Sequence, residues 1–158
     1  MSKLLANSIV VRRAPSNDLD VAWKIIEEYY EAARVVARDA KEDFARTYFC
    51  DGAGVWVATA ESDVVGCVAL RPLVTIPNSG EVKRLYVRQS HRGRGIAAAL
   101  YGALEYFARE SGFEWLYLDT TDEMVAAQKF YAALGYQPTR RYNDNPQATI
   151  FMRKDLRV

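Results

Sequence analysis

Apolar residues along this 158-residue chain recur with two spacings, about two and about three to four, and the switches between them divide it into elements. NSIVVRRA at 7–14 is short and β-branched and reads as a first strand closed by Pro15, with Asp18 or Asp20 placed to cap the next element. From Val21, VAWKIIEEYYEAARVVARDAKEDFARTYF carries Trp23, Ile26, Tyr30 and Ala33, then Val36, Phe44 and Tyr48, the spacing of an amphipathic helix broken into two. DGAG at 51–54 is a turn. VWVATA (55–60) and VVGCVALRPL (64–73), joined by ESD, predict an antiparallel hairpin, and EVKRLYV (81–87) a third strand. Ile96, Leu100, Leu104 and Phe107 mark a helix that ends near Gly112. WLYLDT (115–120) is a strand, DEMVAAQKFYAALG (122–135) a helix, and ATIFMRKDL (148–156) a closing strand. With no repeat, low-complexity run or linker, the pattern predicts one domain over residues 1–158, a mixed sheet with helices on both sides.

Composition narrows the function classes. Half the residues are hydrophobic, 26% are charged and the net charge is +1, the profile of a soluble globular protein without the basic excess of a nucleic-acid binder. Arg84, Arg88, Arg92 and Arg94 cluster locally, which suits a phosphorylated small molecule better than a polymer. Cys50 and Cys67 are too few for a disulfide framework and, with the single His91, too few for a zinc site, so no metal is expected. Charges at Lys3, Arg12 and Arg13 interrupt the N-terminal segment, and no run reaches membrane-spanning length; the expectation is a cytoplasmic protein with no membrane association.

SHRGRGIAAAL at 90–100 concentrates the chemistry. Gly93 and Gly95 let the backbone turn and approach a ligand, Arg92 and Arg94 add charge, and the helix that begins there directs unpaired N–H groups at the same spot. A phosphate or diphosphate is the natural guest. Residues 93–98 also spell G-x-G-x-x-A, with Asp119 at roughly the distance of a ribose-binding acid in a dinucleotide fold. Against that reading, RQSHR separates Val87 from Gly93, and too little chain follows Asp119 to complete a doubly wound sheet.

LYVRQSHRGRGIAAAL, with EVKRLYV before it, WLYLDT after it and FYAALGYQP at 130–138, resembles the GCN5-related N-acetyltransferase (GNAT) family, whose loop pattern Q/R-x-x-G-x-G/A is matched by Arg92 to Ala97. The resemblance implies the GNAT fold, α/β (α+β) with a mixed, mostly antiparallel central sheet flanked by helices on both faces. It implies acetyl-CoA as co-substrate, held by Arg92, Gly93, Arg94, Gly95, Ile96 and Ala97 and by the backbone around Leu85, Tyr86 and Val87. The implied reaction is acetyl transfer to a primary amine of a small molecule or peptide by direct attack in a ternary complex; a homodimer is common in such families. Gln89 stands where proline is common, and Met124 where many members carry an asparagine.

Glu81 matches a catalytic glutamate of some members and, six residues before Val87, is expected on the same strand face, as a general base acting through water. The alternative for it is an exposed strand-start carboxylate paired with Lys83 or Arg71. Tyr131 matches the tyrosine that protonates the departing sulfur; otherwise it packs on the sheet beside Phe130. Tyr136 is expected in the core, and Cys67 as a buried, inert thiol rather than an acetyl acceptor. Arg71, Arg84, Tyr142 and Asn145 are candidates to line the acceptor pocket and hold a substrate carboxylate. A non-catalytic CoA-binding module, in which Glu81 and Tyr131 merely pack, is the rival from another class.

Overall fold

The structure, a computed structural model, describes residues 8–158. The strands are β1 (Ile9–Arg13), β2 (Gly54–Ala60), β3 (Asp63–Pro72), β4 (Ser79–Val87), β5 (Trp115–Thr120), β6 (Gln137–Pro138) and β7 (Ile150–Asp155). The helices are α1 (Leu19–Ala32), α2 (Lys41–Tyr48), α3 (Ile96–Glu110) and α4 (Val125–Ala133). The first strand starts two residues inside the predicted 7–14 segment, of which Asn7 lies outside the described residues; so does Lys3.

One sheet runs β1-β2-β3-β4-β5-β7-β6, and every neighbouring pair is antiparallel except β4–β5. That pair is joined by α3, because parallel neighbours need a crossover connection. Along β3 the residues from Val65 to Leu70 are fully buried in turn, since helices cover both faces of the central strands. On one face α3 lays Leu100, Leu104 and Ala108 against Val65, Val68, Leu70 and Leu116. On the other, α1 and α2 bring Ile25, Ile26, Phe44 and Tyr48 against Val55, Val57, Cys67 and Ala69. Among the described residues no helix is long and apolar enough to cross a membrane.

Several local expectations shift. Val36, placed on the apolar stripe, is 80% exposed, because the chain leaves the helix after Ala32 and reverses at Arg34 with φ +53°. Asp18 occupies the N-cap position of α1, yet its carboxylate bonds Arg12 at 2.8 Å instead of a helix amide, and Asp20 pairs with Lys41. The helix predicted over 122–135 begins only at Val125, since the segment before it is tied to the approach to β7: the Asp122 amide donates to Thr149 Oγ1 at 2.9 Å. The two-residue β6 is too short to carry any periodicity.

The consequential departure is in β4. Cys67 pairs with Tyr86 and Ala69 with Lys83, so Arg84 and Leu85 both stand opposite Val68: a β-bulge. Arg84 takes the left-handed φ of +62°, and the Cys67 thiol donates to its carbonyl at 3.2 Å. One inserted residue exchanges the two faces beyond it. Glu81 therefore does not share a face with Val87, as strict period-two counting implied: Val87 packs in the α3 core, whereas Glu81 sits opposite Arg71 on the α1 side.

Candidate active site

β4 and β5 pair only at Ser79–Trp115, Gly80–Leu116 and Glu81–Tyr117; beyond Glu81 the bulged strand has no partner on that side. This opening belongs to a cleft of about 430 Å³ whose walls include Leu85, Thr120, Met124 and Tyr131 toward α4, and Tyr29, Arg71, Lys83, Arg84 and Asp119 toward the opposite end. Asn143 to Ala148 form the remaining wall. Gln147 clasps that wall to the chain after α1, its side chain accepting from the Val36 amide at 2.8 Å and donating to the Arg34 carbonyl at 3.3 Å.

At the carboxyl end of β4, Gln89–His91 form one 3-10 turn and the chain enters α3 through Gly93 and Gly95, at φ +77° and +76°. Arg92 folds back, its Nε donating to the Val87 carbonyl at 3.0 Å, so this side chain anchors the loop to the strand. The amides from Gly93 to Ala98 find no acceptor among the described residues, and a β-carbon placed on either glycine would meet nothing within 4 Å. Unpaired amides at the positive end of a 15-residue helix, with open space before them, fit the diphosphate of coenzyme A. Leu85, Tyr86 and Val87 stand on the unpaired stretch of β4 that leads to this corner. The opening also holds Leu85 and Met124, and Met124, 47% exposed, contributes no amide side chain there.

Tyr131 is 7% exposed and reaches the cleft from α4, its hydroxyl making no hydrogen bond among the described residues. Burial, with Tyr29 and Asp119 nearby, pushes its phenol well above the usual tyrosine range, so it remains a proton donor. Tyr136 is core, its hydroxyl 3.0 Å from that of Tyr101.

Glu81 is completely buried and does not line the cleft. Its Oε1 accepts from Arg71 Nε at 2.8 Å; its Oε2 accepts from the Tyr142 hydroxyl at 2.7 Å and the Asn143 amide at 2.9 Å, with Lys83 Nζ at 3.6 Å. The pairing foreseen as its alternative role, with Lys83 or Arg71, is present, but the carboxylate is buried rather than exposed, because Tyr142 and Asn143 close over it. Tyr142 and Asn145 likewise serve carboxylates: the Tyr142 hydroxyl is spent on Glu81, and the Asn145 amide donates to Asp119 at 3.3 Å.

Asp119 is the residue for which sequence reasoning found no place once the dinucleotide fold was set aside. It stands next to last in β5, at the cleft, where Lys83 at 3.0 Å, Asn143 at 2.6 Å and Asn145 all donate to its Oδ2, while Oδ1 accepts no bond among the described residues. Burial would raise its carboxyl, but the Lys83 ammonium and the donated hydrogen bonds outweigh that and hold it below the usual aspartate range. The repeated asparagines of RYNDNPQ were the available signal.

Two further cations face the cleft. Arg71 reserves Nε and one terminal nitrogen for Glu81, both at 2.8 Å. Arg84 lies near the Tyr29 and Tyr30 rings, 5.9 and 5.1 Å from their centroids, and its one hydrogen bond of ordinary length among the described residues is to Asp39, at 3.3 Å. Its Nε is buried without a hydrogen-bond partner, a condition that costs about 1–3 kcal/mol. Cys67 is wholly buried, which pushes its thiol far up, and Cys50 is exposed outside the cleft.

The sequence profile described as the Acetyltransferase (GNAT) family matches residues 20–136. N-acetyltransferase 8B of Rattus norvegicus is 35% identical over 104 residues, 63% of this chain and 47% of that protein, so the chain spans about half the length of the curated relatives it matches. The GNAT-family acetyltransferase of Staphylococcus aureus Mu50 superposes with a TM-score of 0.80 at 19% identity, over 94% of this chain and 99% of that one. The PaiA N-acetyltransferase of Thermoplasma acidophilum, solved in complex with coenzyme A, gives a TM-score of 0.67 at 18% identity over 94% and 99% of the two chains. At these identities the structural likeness is one of fold.

Proposed function

The chain belongs to the GNAT family of acetyltransferases, and from that premise we propose that it transfers the acetyl group of acetyl-CoA to a primary amine of a small molecule or peptide, by direct attack in a ternary complex. The observation that carries the proposal is the parting of β4 from β5 beside a free phenol on α4, with unpaired amides at the start of α3 just beyond the carboxyl end of the same β4 strand. Gly93 to Ala97 and Arg92 hold the diphosphate, with the backbone of Leu85, Tyr86 and Val87 continuing the track. Acetyl-CoA, once bound, supplies the thioester whose C–S bond breaks as the acceptor C–N bond forms.

The residues of the chain then have separate tasks. Tyr131 gives its proton to the departing sulfur, a role for which its unpaired hydroxyl is placed and, with burial raising its pKa, kept protonated. An alkylamine has a reference pKa of about 10.4 and must shed a proton before it attacks. Glu81, saturated by four neighbours, is assigned to holding Arg71 and Lys83, and water in the cleft takes that proton. Cys67 favours direct attack over an acetylated enzyme, because its thiol is spent on the Arg84 carbonyl. We place the reaction in the cytoplasm, in keeping with two unpaired cysteines, and in a single domain over residues 1–158, in keeping with one continuous sheet.

Thiol release from acetyl-CoA in the presence of a panel of amines tests the proposal. Saturable, acceptor-dependent release is expected, and Tyr131→Phe should lower kcat by about 10²- to 10⁴-fold with little change in acetyl-CoA affinity. Coenzyme A binding without release from any acceptor would make the chain a binding module instead; unchanged turnover in the variant would remove Tyr131 from the acid role.

A further inference from the structure

Arg84 has no task in the reaction as described, and its setting is unusual. The bulge that carries it is strained, at φ +62° on a non-glycine residue, a conformation that persists where surroundings enforce it and that concentrates at functional sites. The side chain is only 13% exposed, yet one contact to Asp39 at 3.3 Å is its one hydrogen bond of ordinary length among the described residues, out of the five donors of a guanidinium. Its Nε is left without a partner. Arg71 lines the same cleft from the neighbouring strand, with one terminal nitrogen still uncommitted, and the fields of both cations reach the buried Tyr48 hydroxyl. An anion entering here would complete two guanidinium groups at once.

The other unspent group has the opposite sign. All three donors around Asp119 converge on Oδ2, which leaves Oδ1 open to the cleft, and the same carboxylate acts on the Tyr131 phenol. The cleft thus offers a cationic fork at one place and a lone carboxylate oxygen, beside the proposed acid, at another. Lys83 does not compete for the anion, since it is held between Asp119 and Glu81 at 3.0 and 3.6 Å.

We propose that the acceptor is an amine bearing its own carboxylate, of the amino-acid class, with the carboxylate received by Arg84 and Arg71 and the amino group delivered to Asp119 Oδ1 beside Tyr131. This rests on the acetyl-transfer reading above. It also divides the four pocket candidates: Arg71 and Arg84 touch the substrate, whereas Tyr142 and Asn145 hold the carboxylates that organise the site.

The test compares free amino acids and ω-amino acids with their amides, leucine against leucinamide for example, by thiol release from acetyl-CoA. The acids should show kcat/KM at least about tenfold above their amides, a bidentate charge-assisted pair being the discriminating contact. Arg84→Gln should abolish that preference, raising KM for the acid by about tenfold or more with KM for acetyl-CoA unchanged, and Arg84→Lys should restore part of it. The acid-to-amide ratio of the wild-type protein carries the test even if the variants fold poorly. Amides acetylated as well as acids, or discrimination surviving in Arg84→Gln, would overturn the proposal while leaving acetyl transfer intact. No release from any acceptor would fall on the underlying reading.

Discussion

Glu81 and Asp119 are two carboxylates one bonding network apart, and the difference in their surroundings decides what each can do. Glu81 has no exposure and donors on both oxygens; Asp119 has donors on one oxygen and faces the cleft with the other. Removing one partner from a buried pair leaves the other charge uncompensated, so Glu81→Ala should cost about 3–5 kcal/mol. Calorimetric unfolding should show Tm lowered by about 10 °C for a chain of this size. Glu81→Gln should keep the shape of the kcat/KM pH profile if water is the base, as proposed; loss of a limb at normal Tm would make Glu81 the base instead. For Asp119 the folded pKa lies below the unfolded value of about 3.9. Its contribution to stability is therefore present above that value and lost as pH falls through the folded pKa. Asp119→Asn should flatten the acid limb of the stability curve, and an unchanged limb would mean that the Lys83 pairing contributes nothing.

Among the elements, β4 and the turn into α3 position the site. WLYLDT became β5 over the predicted residues, and the helix that carries Tyr131 and the turns at Gly93 and Gly95 could be placed from the sequence because helix, strand and glycine-turn patterns are local signals, whereas Tyr131 was singled out by the family resemblance. The bulge at Arg84 was not legible: nothing in EVKRLYV distinguishes a regular strand from one with an inserted residue, and the register is set by pairing with Cys67 and Ala69. The Glu81–Asn143 and Asp119–Asn143 bonds span 62 and 24 residues, contacts that no spacing rule encodes. At the turn, Gly95→Ala tests the backbone alone, because the new β-carbon meets nothing within 4 Å. A left-handed φ costs an L-residue about 1–2 kcal/mol, which the loop relieves by turning its amides. Coenzyme A should then bind about tenfold more weakly with Tm changed by a few degrees at most; full affinity would show that this corner does not hold the diphosphate.

Across the whole molecule the sheet divides the work. Its α3 face supplies a rigid core behind the amide-lined corner, and its α1 face, with the wall clasped by Gln147, shapes the end where Arg71, Arg84 and Asp119 meet. The opening exists because a parallel pair parts after Glu81, and the proposed reaction has the cofactor and the acceptor approach through that gap from two sides. Calorimetric titration of the protein with coenzyme A, set beside pantetheine, which lacks the diphosphate, tests this most directly. One saturable site, with affinity in the micromolar to millimolar span of roughly 1 μM–1 mM usual for enzyme substrates, and much weaker pantetheine binding are predicted. No saturable heat, or pantetheine bound as tightly as coenzyme A, would contradict it.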